Sequence, residues 1–550
     1  MRQHISLAAA LGCSHLASAV EYCAPAGIPL LPHPDLTVAP AFDPAPLTAV
    51  LDELASDSLL FNTSSTSFSV TITTTEDKVF EYHWTAPNVN TTVGVSKVDG
   101  DTVYRVFSVT KMFTVLSALL QEGLDLDDYI WKWVPELERS PNFENTTLRM
   151  LASHLGGAPR DGYAFDTSLR GRPEFLQGEL GLPADPVLPE GFPICNSVQY
   201  GQCASQAEFL EGLRVSSYVW PAGRTPAYSN FGFSILGFAI EAFTGKSLPD
   251  VMQDSIANPL GLDALGLKTP DPARLVIPGE VDEFGTQDIG FYNGSAGMYA
   301  TPNDLSRFLR GLLNNELLSS TDLATWLKPA SFSPTSKNEA IGMPWTIRTP
   351  TNVLGPESGD RPVEIFTMPG GQGYYNGYVA VIPEYQLGYS VNVAGVGDDP
   401  ALRALMDYIV RYSVPHYDSV RREQAKANYA GRYGSGGSAL ELVETWTTGG
   451  KAVKDAWVEF FGSDAQNAID AEVRIYPVGA DNRWRAMFKS ISETNSTGTI
   501  FEDACYTWFT AGAWLYGGLN VDEIDFTIGQ DGKATAAIVP GLRQNMAREA

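Results

Sequence analysis

Two apolar runs near residue 380 limit the fold of this chain more than any other feature. Gly377 to Ile382 and Leu387 to Ala394 are rich in β-branched and aromatic residues, and Pro383-Glu384-Tyr385-Gln386 separates them. Strand-like runs joined by so short a turn fold back on each other, so an antiparallel hairpin is expected. Ala401 to Tyr412 then has helical spacing, which predicts a sheet with a helix packed on it. Asp43 to Phe61 predicts another helix, with Leu47, Val50, Leu51 and Leu54 on one face. A two-stranded ribbon is expected next: Phe68, Val70 and Ile72 alternate with polar residues, Glu76-Asp77 turns the chain, and Val79 to Trp84 returns it.

From Val106 to Leu120 the spacing of Val109, Met112, Phe113, Leu116 and Leu120 is helical, and Gly123 sits where a C-terminal cap belongs. The middle of the chain, about 124 to 350, mixes helices such as Phe231 to Phe243 and Pro302 to Leu313 with long Gly- and Pro-rich loops. Long loops on a rigid core often carry the substrate site. After Arg421 the texture becomes one of short alternating runs, such as Ala456 to Phe461, Glu472 to Tyr476 and Trp484 to Phe488. At 550 residues, 44% of them hydrophobic and 18% charged, the chain is globular in composition and too long for one ordinary core. We expect a main domain over 20–420 and a smaller, β-rich domain over 421–550.

The first nineteen residues read as a signal peptide, with Arg2, an apolar run from Ile5 to Leu11, and the small-x-small pattern Ala17-Ser18-Ala19. The mature chain would begin near Val20 and be secreted. No later window approaches the about 18 consecutive apolar residues that a membrane span needs. Removing the signal takes Cys13 and leaves Cys23, Cys195, Cys203 and Cys505, an even number suited to an oxidising compartment. Three pairings are possible. The one favoured joins Cys195 to Cys203, closing a short loop, and Cys23 to Cys505. Sequons at Asn62, Asn90, Asn145, Asn293 and Asn495 allow N-glycosylation. A net charge of -27 argues against nucleic acid or anionic membrane as a partner, because both would be repelled.

Ser108-Val109-Thr110-Lys111 is the only Ser-x-x-Lys in the sequence, and it opens the Val106–Leu120 helix. Residues three apart share a helix face, so the Lys111 amine can take the Ser108 hydroxyl proton. The helix N-terminus favours the negative charge that develops on the serine. Burial beside Phe107, Met112 and Phe113 would lower the lysine pKa and let it act as a base. Gly-x-Ser-x-Gly, His-Glu-x-x-His and phosphate-loop motifs are all absent, and Ser108 needs no cofactor. With only His33, His83, His154 and His416 left after the signal, no metal site is expected.

Tyr228-Ser229-Asn230, after Pro221-Ala222-Gly223 and before the helical Phe231 to Gly237, makes a second element. With Ser108 to Lys111 it resembles the serine β-lactamase and D-alanyl-D-alanine carboxypeptidase superfamily, nearest the class C β-lactamases and related esterases and acyltransferases. Matching segments run in the expected order over about 45–415: Asp101 to Phe107, Gly123 to Asp128, Leu148 to Gly157 around His154, Asn258 to Leu262, and Gly294 to Leu305.

The resemblance implies an α/β fold of the β-lactamase/transpeptidase type, an antiparallel sheet flanked by helices with a helical insertion. It implies that Tyr228 shares acid and base work with Lys111, and that Asn230 binds substrate and positions Lys111. His154 would fix a loop. The family's third element is a strand with Lys-Thr-Gly or His-x-Gly, and its counterpart here is Met368-Pro369-Gly370-Gly371. Met368 lacks the cation that holds a substrate carboxylate, which argues against penicillin turnover. Gly370, Gly371 and Gln372 would contact substrate, the Gly371 N–H pairing with that of Ser108 as an oxyanion hole. The expected activity is hydrolysis of an ester or amide in a small-molecule or peptide-like acyl substrate. Acyl transfer to an alcohol, or catalytically silent binding, are the alternatives.

Overall fold

The computed structural model describes residues 31–56, 62–138, 140, 143–161, 181–182, 187, 192–193, 195, 202–215, 218–279, 285–333, 335–354, 361–395, 399–435, 438–442, 472–479, 482–489, 511–512 and 515–549. The signal-peptide residues, Cys23, Cys505, Asn495 and the Ala456–Phe461 run lie outside these. Leu36–Tyr417 forms one compact unit; Asp418–Ala550, with the described residues ahead of Leu36, forms the other.

The first unit is built on an antiparallel eight-stranded sheet of order β2-β1-β10-β9-β8-β7-β6-β5. Its strands are β1 (Ser67–Thr73), β2 (Lys78–Trp84), β5 (Ser331–Phe332), β6 (Glu339–Ile341), β7 (Thr346–Arg348), β8 (Ile365–Gln372), β9 (Tyr375–Ile382) and β10 (Leu387–Ala394). β3 (Tyr104–Phe107) and β4 (Met298–Ala300) form a separate pair. The β9–β10 hairpin pairs Ile382 with Leu387 across Pro383–Tyr385, as its sequence pattern predicts.

The sheet is covered on both faces. On one, Leu47 and Leu51 of α1 (Ala45–Ser56) and Leu405, Ile409 and Val414 of a helix over Asp399–Tyr429 pack on Phe68, Val70, Ile72 and Val391. On the other, the core gathers α2 (Thr110–Leu119), α3 (Asn230–Thr244) and α4 (Pro302–Leu313) against Val379 and Val381.

The 67–84 segment is therefore no free ribbon. β1 is buried at every residue because β10 pairs with it and α4 covers its polar face. The polar residues there bond to each other, Thr71 to Ser390 at 2.8 Å and Ser69 to Tyr104 at 2.9 Å, which removes the cost of burying them. The Asp399–Tyr429 helix, labelled α5, also outruns the expected Ala401–Tyr412. It continues through Pro415 because Val414, Tyr417 and Val420, on either side of the proline, are buried.

The second unit holds an antiparallel seven-stranded sheet of order β12-β11-β19-β18-β17-β14-β13. These are β11 (Gly431–Ser435), β12 (Ser438–Leu442), β13 (Glu472–Pro477), β14 (Arg483–Lys489), β17 (Glu523–Ile528), β18 (Ala534–Val539) and β19 (Gln544–Arg548), with a short pair β15 (Leu515–Tyr516) and β16 (Leu519–Asn520) beside them. Tyr433, Leu440, Ile475, Trp484 and Phe526 form its core. The β-rich C-terminal part expected from the alternating runs is thus present. Cys195 and Cys203 are bridged, with Cα atoms 4.7 Å apart. No helix among the described residues is long and apolar enough to cross a membrane.

Candidate active site

The helix expected from Val106 begins only at Thr110. Val106 and Phe107 belong instead to β3, and Phe107 has φ +43°, which a helix cannot continue. A bulky residue there costs about 1 to 2 kcal/mol, held by a buried ring that lies under the Arg105 guanidinium at 4.9 Å. The turn that results leaves Ser108 half-exposed between β3 and α2, while Lys111, one turn on, is wholly buried.

Lys111 Nζ lies 3.0 Å from Ser108 Oγ, 2.6 Å from Asn230 Oδ1 and 2.9 Å from the Ser295 carbonyl oxygen. Burial pushes its pKa well below the ordinary lysine value, with nearby Asp161 raising it and Arg160 lowering it by smaller amounts. A neutral amine suits these partners: two N–H groups go to the two carbonyl oxygens, which only accept, and the lone pair is left for the Ser108 hydroxyl proton.

Tyr228 approaches Ser108 from the other side, its hydroxyl donating to Ser108 Oγ at 2.7 Å. Burial pushes its pKa up to about 12, partly offset by the Ser108 bond, so it is a neutral donor at ordinary pH. Ser229 caps α3 by accepting from the Gly232 N–H at 2.8 Å, and this fixes Tyr228 before the helix and Asn230 within it.

Both residues rest on 154–161. His154 stacks on the Tyr228 ring at 4.6 Å, and its Nδ1 accepts from the Ser229 N–H at 3.2 Å. Burial lowers its pKa to about 3, so it is a neutral spacer. The Ser229 hydroxyl also donates to the Pro159 carbonyl, and the Asn230 N–H to the Arg160 carbonyl, both at 2.7 Å. Asn230 Nδ2 donates to Asp161 Oδ1. The sequence reading missed Arg160 and Asp161; they lie three and four residues beyond the Leu148–Gly157 segment, and that proximity was the available signal.

Opposite stands β8. A Cβ on Gly370 would sit 2.1 Å from the Val106 carbonyl oxygen and 2.7 Å from the Ser108 nitrogen, so only glycine lets this strand reach the Ser108 turn. Gly371 and Gln372 line a cavity of about 370 Å³ together with Phe107, Ser108, Arg160, Asp161, Asn230 and Ala296. Met368 is buried in the core and does not line it. The other Tyr-x-Asn, Tyr374 to Asn376, is placed differently, the Tyr375 hydroxyl donating to the Val276 carbonyl at 2.9 Å.

The structure thus brings Ser108, Lys111, Tyr228 and Asn230 together at one end of the cavity, with Gly371 and Gln372 on its wall and Gly370 behind. The chemistry available is a hydroxyl flanked by a proton acceptor and a proton donor.

The beta-lactamase family model matches residues 60–410, and a model of the beta-lactamase-like C-terminal domain matches 421–550. A beta-lactamase-like protein of Arthroderma benhamiae is 26% identical over 96% of each chain. A probable hydrolase, M10, of a Phoma species is 30% identical over 67% of this chain and 61% of its own. The octameric penicillin-binding protein homologue from Pyrococcus abyssi superposes with a TM-score of 0.50 at 19% identity, covering 92% of this chain and 100% of its own, a likeness of fold. With the family model spanning well over half of its length, this chain belongs to the beta-lactamase family of serine hydrolases.

Proposed function

We propose that the protein is a secreted serine hydrolase that cleaves an ester or amide through an acyl-enzyme on Ser108. The observation that carries this reading is the buried Lys111 amine, whose carbonyl partners leave it one site, facing the Ser108 hydroxyl. Lys111 takes the hydroxyl proton as Ser108 attacks the carbonyl carbon. The backbone N–H groups of Ser108 and Gly371 receive the oxyanion. Tyr228, a neutral donor, gives its proton to the leaving alkoxide or amine and takes in exchange the proton that Lys111 removed from Ser108, so both groups return to their starting states. Water then attacks the acyl-enzyme by the same steps in reverse order.

Met368 places an apolar, buried side chain where the family carries a cation, which favours neutral acyl groups over β-lactam carboxylates. Gln372 can orient such a group by its amide. The signal-like N-terminus and the Cys195–Cys203 bridge support secretion.

Intact mass spectrometry after treatment with a fluorophosphonate, with Ser108→Ala as control, tests the reading. A single adduct absent from the variant, with loss of p-nitrophenyl ester turnover, supports it. No adduct on folded wild-type protein overturns it in favour of a catalytically silent binding protein. Products formed with and without an added alcohol separate hydrolysis from acyl transfer.

A further inference from the structure

Asn230 can serve Lys111 only if its amide faces one way. The carbonyl oxygen must point at Nζ, where it lies 2.6 Å away, and the NH₂ must point outward. A flipped amide would set an N–H donor against the amine and compete with Ser108 for the lone pair. The group that receives the outward NH₂ is Asp161, by Oδ1. The other carboxylate oxygen, Oδ2, lies 3.3 Å from Arg160 Nε, and the Arg160 guanidinium covers the Tyr228 ring at 5.0 Å. Asp161 is mostly buried although Arg160 is largely exposed, its side chain at 16% exposure against 70%. A carboxylate can only accept, so it holds the amide in the one orientation that suits the base.

Resting on the hydrolase reading, we propose that Asp161 is a positioning residue that sets the Asn230 amide and, through it, the state of Lys111. Among the described residues, the charged and titratable groups around Lys111 are Asp161 and Arg160 from the 154–161 segment, His154 from the same segment, and Tyr228 ahead of α3. Asn230 and Phe233 of α3 and the Ser295 carbonyl complete its surroundings without charge. Asp161 is the one anion among these groups. It raises the Lys111 pKa against the larger effect of burial, which pushes it down.

Two variants separate orientation from charge. Asp161→Ala removes both, and kcat/KM for a p-nitrophenyl ester should fall about 10- to 100-fold, mainly in kcat. Asp161→Asn can still accept from the Asn230 NH₂ through its own carbonyl oxygen and should keep more of the rate. In both variants the acid limb of the pH–kcat/KM profile should move to lower pH, because the anion that favoured the protonated amine is gone. In an Asn230→Ala background, Asp161→Ala should cost little more in kcat, since the amide it orients is already gone.

NMR titration of labelled lysine, assigned with Lys111→Arg, reads the same shift without activity. It decides the inference even if Ser108 proves unreactive, an outcome that would overturn only the hydrolase reading. A Lys111 titration that moves no further in folded Asp161→Ala than in Asp161→Asn, or an equal fold-loss from Asp161→Ala with and without Asn230, overturns the positioning role.

Discussion

The two walls of the cavity are built on different principles. On the helical wall the proton-handling groups are side chains: Ser108, Lys111, Tyr228, Asn230 and Asp161 form one hydrogen-bonded series. On the β8 wall Met368 is turned into the core, Gly370 has no side chain, and only Gln372 reaches the cavity with one. The comparison teaches that, on the hydrolase reading, the first wall handles protons through side chains and the second acts through its backbone and its shape. An apolar residue at Met368 therefore leaves the hydrogen-bonded series around Ser108 intact.

The largest break should come on the helical wall. Ser108→Ala is expected to lower kcat by about 10⁴-fold or more, read by ester turnover and by loss of the fluorophosphonate adduct. Lys111→Ala should follow, with a fall of about 10²- to 10⁴-fold, the usual span for a general base. On the β8 wall, Gly370→Val drives side-chain atoms into the Ser108 turn. We expect about a 10- to 100-fold loss of kcat/KM and a destabilisation of about 1 to 3 kcal/mol, measured by denaturant unfolding.

A pH series sharpens the contrast, because the titrating groups all lie on the helical wall. Below the lowered Lys111 pKa, kcat/KM should fall about tenfold per pH unit as the base is protonated. Tyr228 stays protonated until about pH 12, and His154 stays neutral above about pH 3, so neither adds a step between. Stability has a matching sign. Between the folded and the ordinary lysine pKa the unfolded chain binds more protons, so Lys111 makes stability rise with pH across that window. The smallest effect is expected from Met368→Leu, which conserves volume in the core and should change neutral-ester turnover by less than about twofold.

How much of this was legible in the sequence follows from how local each feature is. Ser108 and Lys111 are one helical turn apart, and Tyr228 and Asn230 frame a helix start, so both pairs carry a short-range signature. The Asp161–Asn230 contact joins residues 69 apart, and no spacing rule predicts it. Likewise, the alternation in 67–73 was legible, but its polar face looked solvent-exposed. Only the fold reveals that Ser390 and Tyr104 meet those hydroxyls beneath α4. The start of α2 was misplaced because the positive φ of Phe107 leaves no mark in composition.

The order of strands in the main sheet also bears on how the protein is made. β1 finds its inner partner in β10, and the Thr71–Ser390 pair spans 319 residues. At about 5 to 20 residues per second, a ribosome needs roughly 15 to 65 seconds to deliver β10 after β1 has emerged. Throughout that interval β1 presents an unpaired, apolar edge, the kind of surface on which nascent chains aggregate. Expression hosts whose chaperones shield such an edge should give more folded enzyme, and slowing translation after residue 84 should lower the yield.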